Sequence, residues 1–115
     1  MVDTISIDVN KINQSKIEQV DFNNIQFGKV YSDHMFVSKF RNGEWGSNKI
    51  LPYANLSVSP ATPAIHYGQS IFEGMKAYRS ASGELLLFRA LDNFKRLNIS
   101  ADRMCMPNIS EDIFM

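Results

Sequence analysis

The dipeptide Asn42-Gly43 constrains the fold of this chain more than any other feature. Both residues tolerate positive φ, which a two-residue type I′ turn requires at its central positions, and strand twist favours that turn in tight hairpins. Upstream, DHMFVSKF is rich in Phe, Val and Met and reads as a strand. Downstream comes EWG, so Trp45 is expected to pack across the hairpin. His34, beside Asp33, reads as a hydrogen-bonded structural histidine, because no second His, Cys or carboxylate falls at metal spacing around it. No metal site is expected.

The remaining elements follow from period and punctuation. Residues 1–24 are polar with no sustained period and read as an N-terminal arm; residues 25–115 read as one small domain. KILPYANLS is a weaker extended segment that Pro52 confines to an edge or a strand end. SVSPATPA is a loop, since Pro60 and Pro63 each bias the preceding residue away from helix. MKAYR and ELLLF flank SASG as a second hairpin, and the unbroken LLLF implies a strand covered on both faces. From Ala90 to Met106 the period becomes helical, with Leu91, Phe94, Leu97, Ala101 and Met104 on one face. Arg96 and Arg103 fall off that stripe, and spacing alone gives them no task. Ser110, followed by Glu111 and Asp112, marks another helix start, and the chain stops about one turn later. A helix that short is not stable alone, so a longer protein cut within an element is expected. The fold class is α+β: an antiparallel sheet of hairpins with the Ala90–Met106 helix packed on it.

IHYGQSIFEGMKAYR, residues 65–79, fits neither period. It gathers Tyr67, Phe72 and Tyr78 with a histidine, a glutamate and two glycines. Gly68 and Gly74 bracket QSIFE, read as about one helical turn, and Gly74 is placed to open the strand MKAYR. Two readings fit such a segment: a corner of the core or the wall of a pocket.

Composition bounds the function. With 115 residues, 44% of them hydrophobic and 21% charged, the chain has the make-up of an ordinary soluble domain. Twelve basic side chains balance twelve acidic ones, which argues against a nucleic-acid partner or an electrostatic membrane anchor. No apolar run could span a bilayer, and the N-terminus lacks the layout of a secretory signal. The single Cys105 implies a reducing compartment, and the cytoplasm is the expected location.

HYGQSIFEGMKAYR followed by LFRALDNFKRLNISADRM closely resembles the N-terminal domain of branched-chain amino acid aminotransferases, pyridoxal-phosphate enzymes of fold type IV. FGKVYSDHMFV and NLSVSPAT extend the resemblance, which runs from about Phe27 to the C-terminus. It implies that Arg96 binds the cofactor phosphate, a role suited to a planar, permanently charged guanidinium. It implies that Tyr67 lines the substrate side of the cofactor and that Phe72 and Phe27 wall the side-chain pocket. An apolar pocket of that kind selects leucine, isoleucine and valine by burial, at roughly 0.8 kcal/mol per methylene, and separates the three poorly.

Transamination also needs a lysine that holds the cofactor covalently and moves a proton. Lysines stand at 11, 16, 29, 39, 49, 76 and 95, none where the family keeps its catalytic lysine. No catalytic residue is therefore assigned here, and His66, without a carboxylate or nucleophile partner, is no substitute. The resemblance implies the incomplete small domain of a two-domain, homodimeric enzyme. That enzyme moves an amino group between Leu, Ile or Val and 2-oxoglutarate, while the 115 residues alone are expected to be inactive. Two alternatives share the scaffold: another fold-type-IV enzyme (a D-amino acid aminotransferase or aminodeoxychorismate lyase) and a non-catalytic binding module.

Overall fold

A computed structural model describes residues 5–115, which are organised as two compact units, Met1–Ser57 and Val58–Met115. The secondary structure is α+β. In the first unit, β1 (Asp8–Val9), β2 (His34–Arg41) and β3 (Glu44–Pro52) form a three-stranded sheet in the order β1-β3-β2. The second carries α1 (Pro63–His66), β4 (Ala77–Arg79), β5 (Leu85–Leu87), α2 (Ala90–Arg103) and α3 (Glu111–Phe114).

The β2–β3 hairpin turns at Asn42-Gly43, with Arg41 paired to Glu44 and φ values of 54° and 87° at the two turn residues. Phe40 and Trp45 face each other across it, ring centroids 5.3 Å apart in an edge-on arrangement. Five residues on, the ladder slips: Val37 pairs with Lys49 but Lys39 with Gly46, and Ser47 takes φ 54° to absorb the extra residue. The Ser38 hydroxyl donates to Asn48 Oδ1 at 2.7 Å and holds this bulge closed. KILP is thus not a separate segment but the far half of β3, and Pro52 ends it. Gly43→Ala should cost about 1–2 kcal/mol, because a Cβ at that φ crowds the following carbonyl. Denaturant unfolding followed through Trp45, the sole tryptophan, would show it as a lowered midpoint.

The N-terminal segment is tied to this sheet, which periodicity did not show. β1 pairs parallel with β3, Asp8 opposite Lys49 and Val9 opposite Ile50. The Ile12 N–H donates to His34 Nε2 at 3.1 Å, and Asp33 accepts from the Ser15 hydroxyl at 2.6 Å and the Lys16 N–H at 3.1 Å. His34 is thus a structural acceptor. The hydroxyl of Ser15, foremost, and the Lys16 N–H lower the Asp33 pKa. Both expected hairpins are antiparallel, but β1 adds a parallel pairing to the first, and β4 and β5 form a two-stranded sheet of their own.

In the second unit, Tyr78 pairs with Leu86, and Gly83 at φ 87° closes the β4–β5 turn. Each strand holds only three residues. Leu85, Leu86, Leu87 and Phe88 are all exposed, so the described residues do not provide the expected covering of LLLF on both faces. Within this unit the long helix packs with α3, where the Phe94 and Phe114 rings lie 5.7 Å apart. Asn98 links the chain after α2 back to it, donating to the Ile109 carbonyl and accepting from the Ile109 N–H, both at 2.9 Å.

That helix stops at Arg103, short of the expected Met106. Cys105 adopts φ 52°, and the Met106 N–H reaches back to the Ala101 carbonyl at 2.9 Å while the Cys105 N–H reaches Asp102. This is a Schellman closure with cysteine in the place glycine usually takes. Ser110 does precede α3, but its hydroxyl makes no capping bond there. Among the described residues only Ala90 and Ala101 are buried.

Candidate functional site

The helical turn expected at QSIFE lies earlier, at α1. Pro63 occupies the first helical position, where its fixed φ and missing N–H cost nothing, so the prolines that argue for a loop also open a helix. Tyr67 follows α1 and is 87% exposed.

From Gln69 to Gly74 the chain is extended and runs antiparallel to α2. Gln69 Nε2 donates to the Met104 carbonyl at 2.8 Å, while Asn93 Nδ2 donates to the Gly74 carbonyl at 2.9 Å and to Glu73 Oε1 at 3.1 Å. Asn93 and Met104 are separated by roughly 16 Å of helix axis. Over five residue steps an extended backbone advances about that far, at about 3.3 Å each. Extended backbone sends alternate side chains to opposite sides. Accordingly Gln69, Ile71 and Glu73 are partly covered while Ser70 and Phe72 are exposed, Phe72 by 92%.

Glu73 is the pivot of this arrangement. Its side chain is only 8% exposed, and its two oxygens take Nε and Nη2 of Arg96 in a fork. The Gly74 N–H donates to the same carboxylate at 2.9 Å. These donors, Arg96 foremost, pull the Glu73 pKa from an ordinary 4.5 down to about 2, and the carboxylate raises that of Arg96 in turn. Because the folded value lies below the unfolded one, the stabilisation from this ion pair is complete above about pH 4.5. It is lost as pH falls towards 2. Acid unfolding of the chain should therefore steepen between pH 4.5 and 2, and Glu73→Gln should flatten that portion of the curve, read by circular dichroism.

Arg96 keeps its outer side open. Its side chain is 67% exposed, and of the five N–H donors on a guanidinium Glu73 engages two, leaving three. Those border a cleft of about 450 Å³ whose lining also carries Arg89, Asp92, Asn93, Lys76 and Tyr78. Lys76, Arg89 and Arg96 outnumber Asp92 and the Glu73 carboxylate behind Arg96, which leaves this wall a net positive balance suited to a phosphate or carboxylate ligand. Arg89 opens α2 at φ 55°, and its Nε is paired with Asp92. The guanidinium of Arg96 is thus a permanent donor whose inner edge is already fixed by Glu73. No metal-binding cluster occurs among the described residues.

Of the residues singled out from sequence, Arg96 is joined to the residue next to Phe72. Neither Phe72 nor Tyr67 lines the cleft, though both stand exposed on the same unit. Phe27, fully exposed, belongs to the other unit. Sequence reasoning gave no task to Glu73 or Asn93. Asn93 sits three residues before Arg96, hence on the same side of α2 and off the apolar stripe, a signal available beforehand. Glu73 offered only its isolation between Phe72 and a glycine.

No family model matches the chain. Several curated proteins do. It is 41% identical over 99 residues to a branched-chain-amino-acid aminotransferase of Helicobacter pylori, a match spanning 86% of this chain and 29% of that protein. It is 44% identical over 103 residues to branched-chain-amino-acid aminotransferase 2 of Bacillus subtilis, spanning 89% and 28%. With the chloroplastic aminotransferase 5 of Arabidopsis thaliana the identity is 37% over 102 residues, spanning 88% and 25%. The chain spans between a quarter and a third of the length of the curated relatives it matches. Over most of its own length, then, it is similar to the N-terminal part of branched-chain aminotransferases, and it is with that family that its sequence places it.

Proposed function

We propose that this chain is the start of the small domain of a fold-type-IV, pyridoxal-phosphate-dependent aminotransferase. In this reading residues 1–24 form an arm and residues 25–115 the incomplete domain. The full-length protein moves an amino group between leucine, isoleucine or valine and 2-oxoglutarate, working as a cytoplasmic homodimer. Arg96 holds the cofactor phosphate; Tyr67, Phe72 and Phe27 shape the apolar pocket for the substrate side chain. Pyridoxal phosphate, when bound, supplies the electron sink that labilises the bonds at the amino acid α-carbon.

The observation that supports this most directly is the open guanidinium of Arg96, fixed on one edge by Glu73 and bordering a cationic cleft. A permanently charged planar donor suits a phosphate dianion. The exposed aromatic faces of Tyr67 and Phe72 suit burial against a ligand or further polypeptide rather than water. In support of the location, Cys105 is a free thiol, and no helix among the described residues is long and apolar enough to cross a membrane.

The test is substrate profiling of the full-length protein with pyridoxal phosphate. Glutamate formation from L-leucine, L-isoleucine and L-valine with 2-oxoglutarate is expected. A preference for D-alanine, or lyase action on aminodeoxychorismate, would replace this reading with another member of the same fold type. No transfer from any amino acid would leave the scaffold as a binding module.

A further inference from the structure

We infer that Glu73 is a positioning residue for the cofactor phosphate: it grips the inner edge of Arg96 so that the outer edge is presented in one fixed orientation. This rests on the phosphate role proposed for Arg96 and adds to it the device that aims the guanidinium.

An arginine side chain has four rotatable bonds and carries about 2 kcal/mol of rotamer entropy, which a ligand must otherwise overcome each time it binds. Here that ordering is done in advance. Glu73 accepts from both Nε and Nη2 of Arg96, so the guanidinium plane is set by two parallel bonds rather than one. The carboxylate itself cannot swing, since Asn93 Nδ2 at 3.1 Å and the Gly74 N–H at 2.9 Å hold it from two further directions. Asn93 in turn donates to the Gly74 carbonyl at 2.9 Å, which pins the backbone that carries Glu73. The inner partner is covered, at 8% exposure, and the outer one open, at 67%. A surface ion pair with no task would leave both partners in water. Covering the acid while baring the base is the arrangement that preorganises a donor.

A carboxylate beside an anion site also repels the anion, so the sign of its effect is informative. If positioning prevails, removing Glu73 weakens phosphate binding; if repulsion prevails, removal tightens it. The readout is the ratio of affinities of the full-length apoprotein for pyridoxal phosphate and for pyridoxal, measured by equilibrium dialysis. Pyridoxal lacks the phosphate, so its unchanged affinity also certifies that a variant is folded.

Glu73→Gln and Glu73→Ala are expected to lower that ratio about five- to tenfold, and Glu73→Asp to lower it less. The Glu73→Ala/Arg96→Ala double variant should fall no further than Arg96→Ala alone, because a positioning residue acts only through what it positions. An unchanged or raised ratio in Glu73→Gln, with Arg96→Ala still lowering it, overturns the role of Glu73 while sparing Arg96. An unchanged ratio in Arg96→Ala overturns the phosphate assignment and this inference with it. Should Glu73→Ala not fold, the Gln and Asp variants carry the same comparison.

Discussion

Arg96→Ala is expected to weaken binding of pyridoxal phosphate to the full-length apoprotein by about a hundredfold and to leave pyridoxal nearly unaffected. The magnitude follows from two charge-assisted bonds to one phosphate, each contributing roughly tenfold. Three unengaged N–H groups on an exposed side chain can make them without breaking the fork to Glu73. Lysine at the same position should recover only part of the loss, since an ammonium keeps the charge but not the planar two-point contact. Inorganic phosphate should compete with pyridoxal phosphate in the unaltered protein and much less in the variant. Equal loss for pyridoxal and its phosphate would mean that alanine had disturbed the pocket, and no loss for either would remove Arg96 from the site.

Of the four residues that the sequence singles out, only Arg96 lines this cleft. Arg96 leaves the apolar stripe of α2 just as Arg103 does, and only the resemblance singles it out. Glu73 did not stand out, because its role depends on the extended path of residues 69–74. That path follows two anchors, Met104 at the C-cap of α2 for Gln69 and Asn93 on α2 for Gly74. Local period could not reveal it: the inward set Gln69, Ile71 and Glu73 mixes amide, apolar and acid, so alternation of burial has no matching alternation of hydrophobicity.

The same contrast holds for the fold. Asn42-Gly43 writes its hairpin locally, in residues that must take positive φ, and the turn is where the dipeptide says. The parallel pairing of Asp8–Val9 with Lys49–Ile50 depends on residues forty positions apart and on polar ties to Asp33 and His34. Two-residue pairings leave no period to read. The LLLF run shows a different limit. Its composition reports that something covers it, whereas Leu85 to Phe88 are bare here. Hydrophobicity signals a preference for burial and does not say what would supply the cover.

The largest effect expected is a complete loss. The 115-residue chain alone, given L-leucine, 2-oxoglutarate and pyridoxal phosphate, should form glutamate no faster than the cofactor does without protein. Covalent amine chemistry requires a lysine held in a desolvated setting where the cofactor carbonyl can meet it. Five of the seven lysines belong to the Met1–Ser57 unit, whereas Arg96 belongs to Val58–Met115. Lys95 is next to Arg96 in sequence, but consecutive helix residues do not face one another, and it is exposed. Lys76 lines the cleft with Arg96 yet is open to water. None of these lysines is an enclosed amine that could hold a cofactor covalently and move the α-proton, so a phosphate grip alone would not give turnover. Glutamate formation above the protein-free control that disappeared in Lys76→Ala would overturn this and make Lys76 the reactive amine of a self-sufficient small domain.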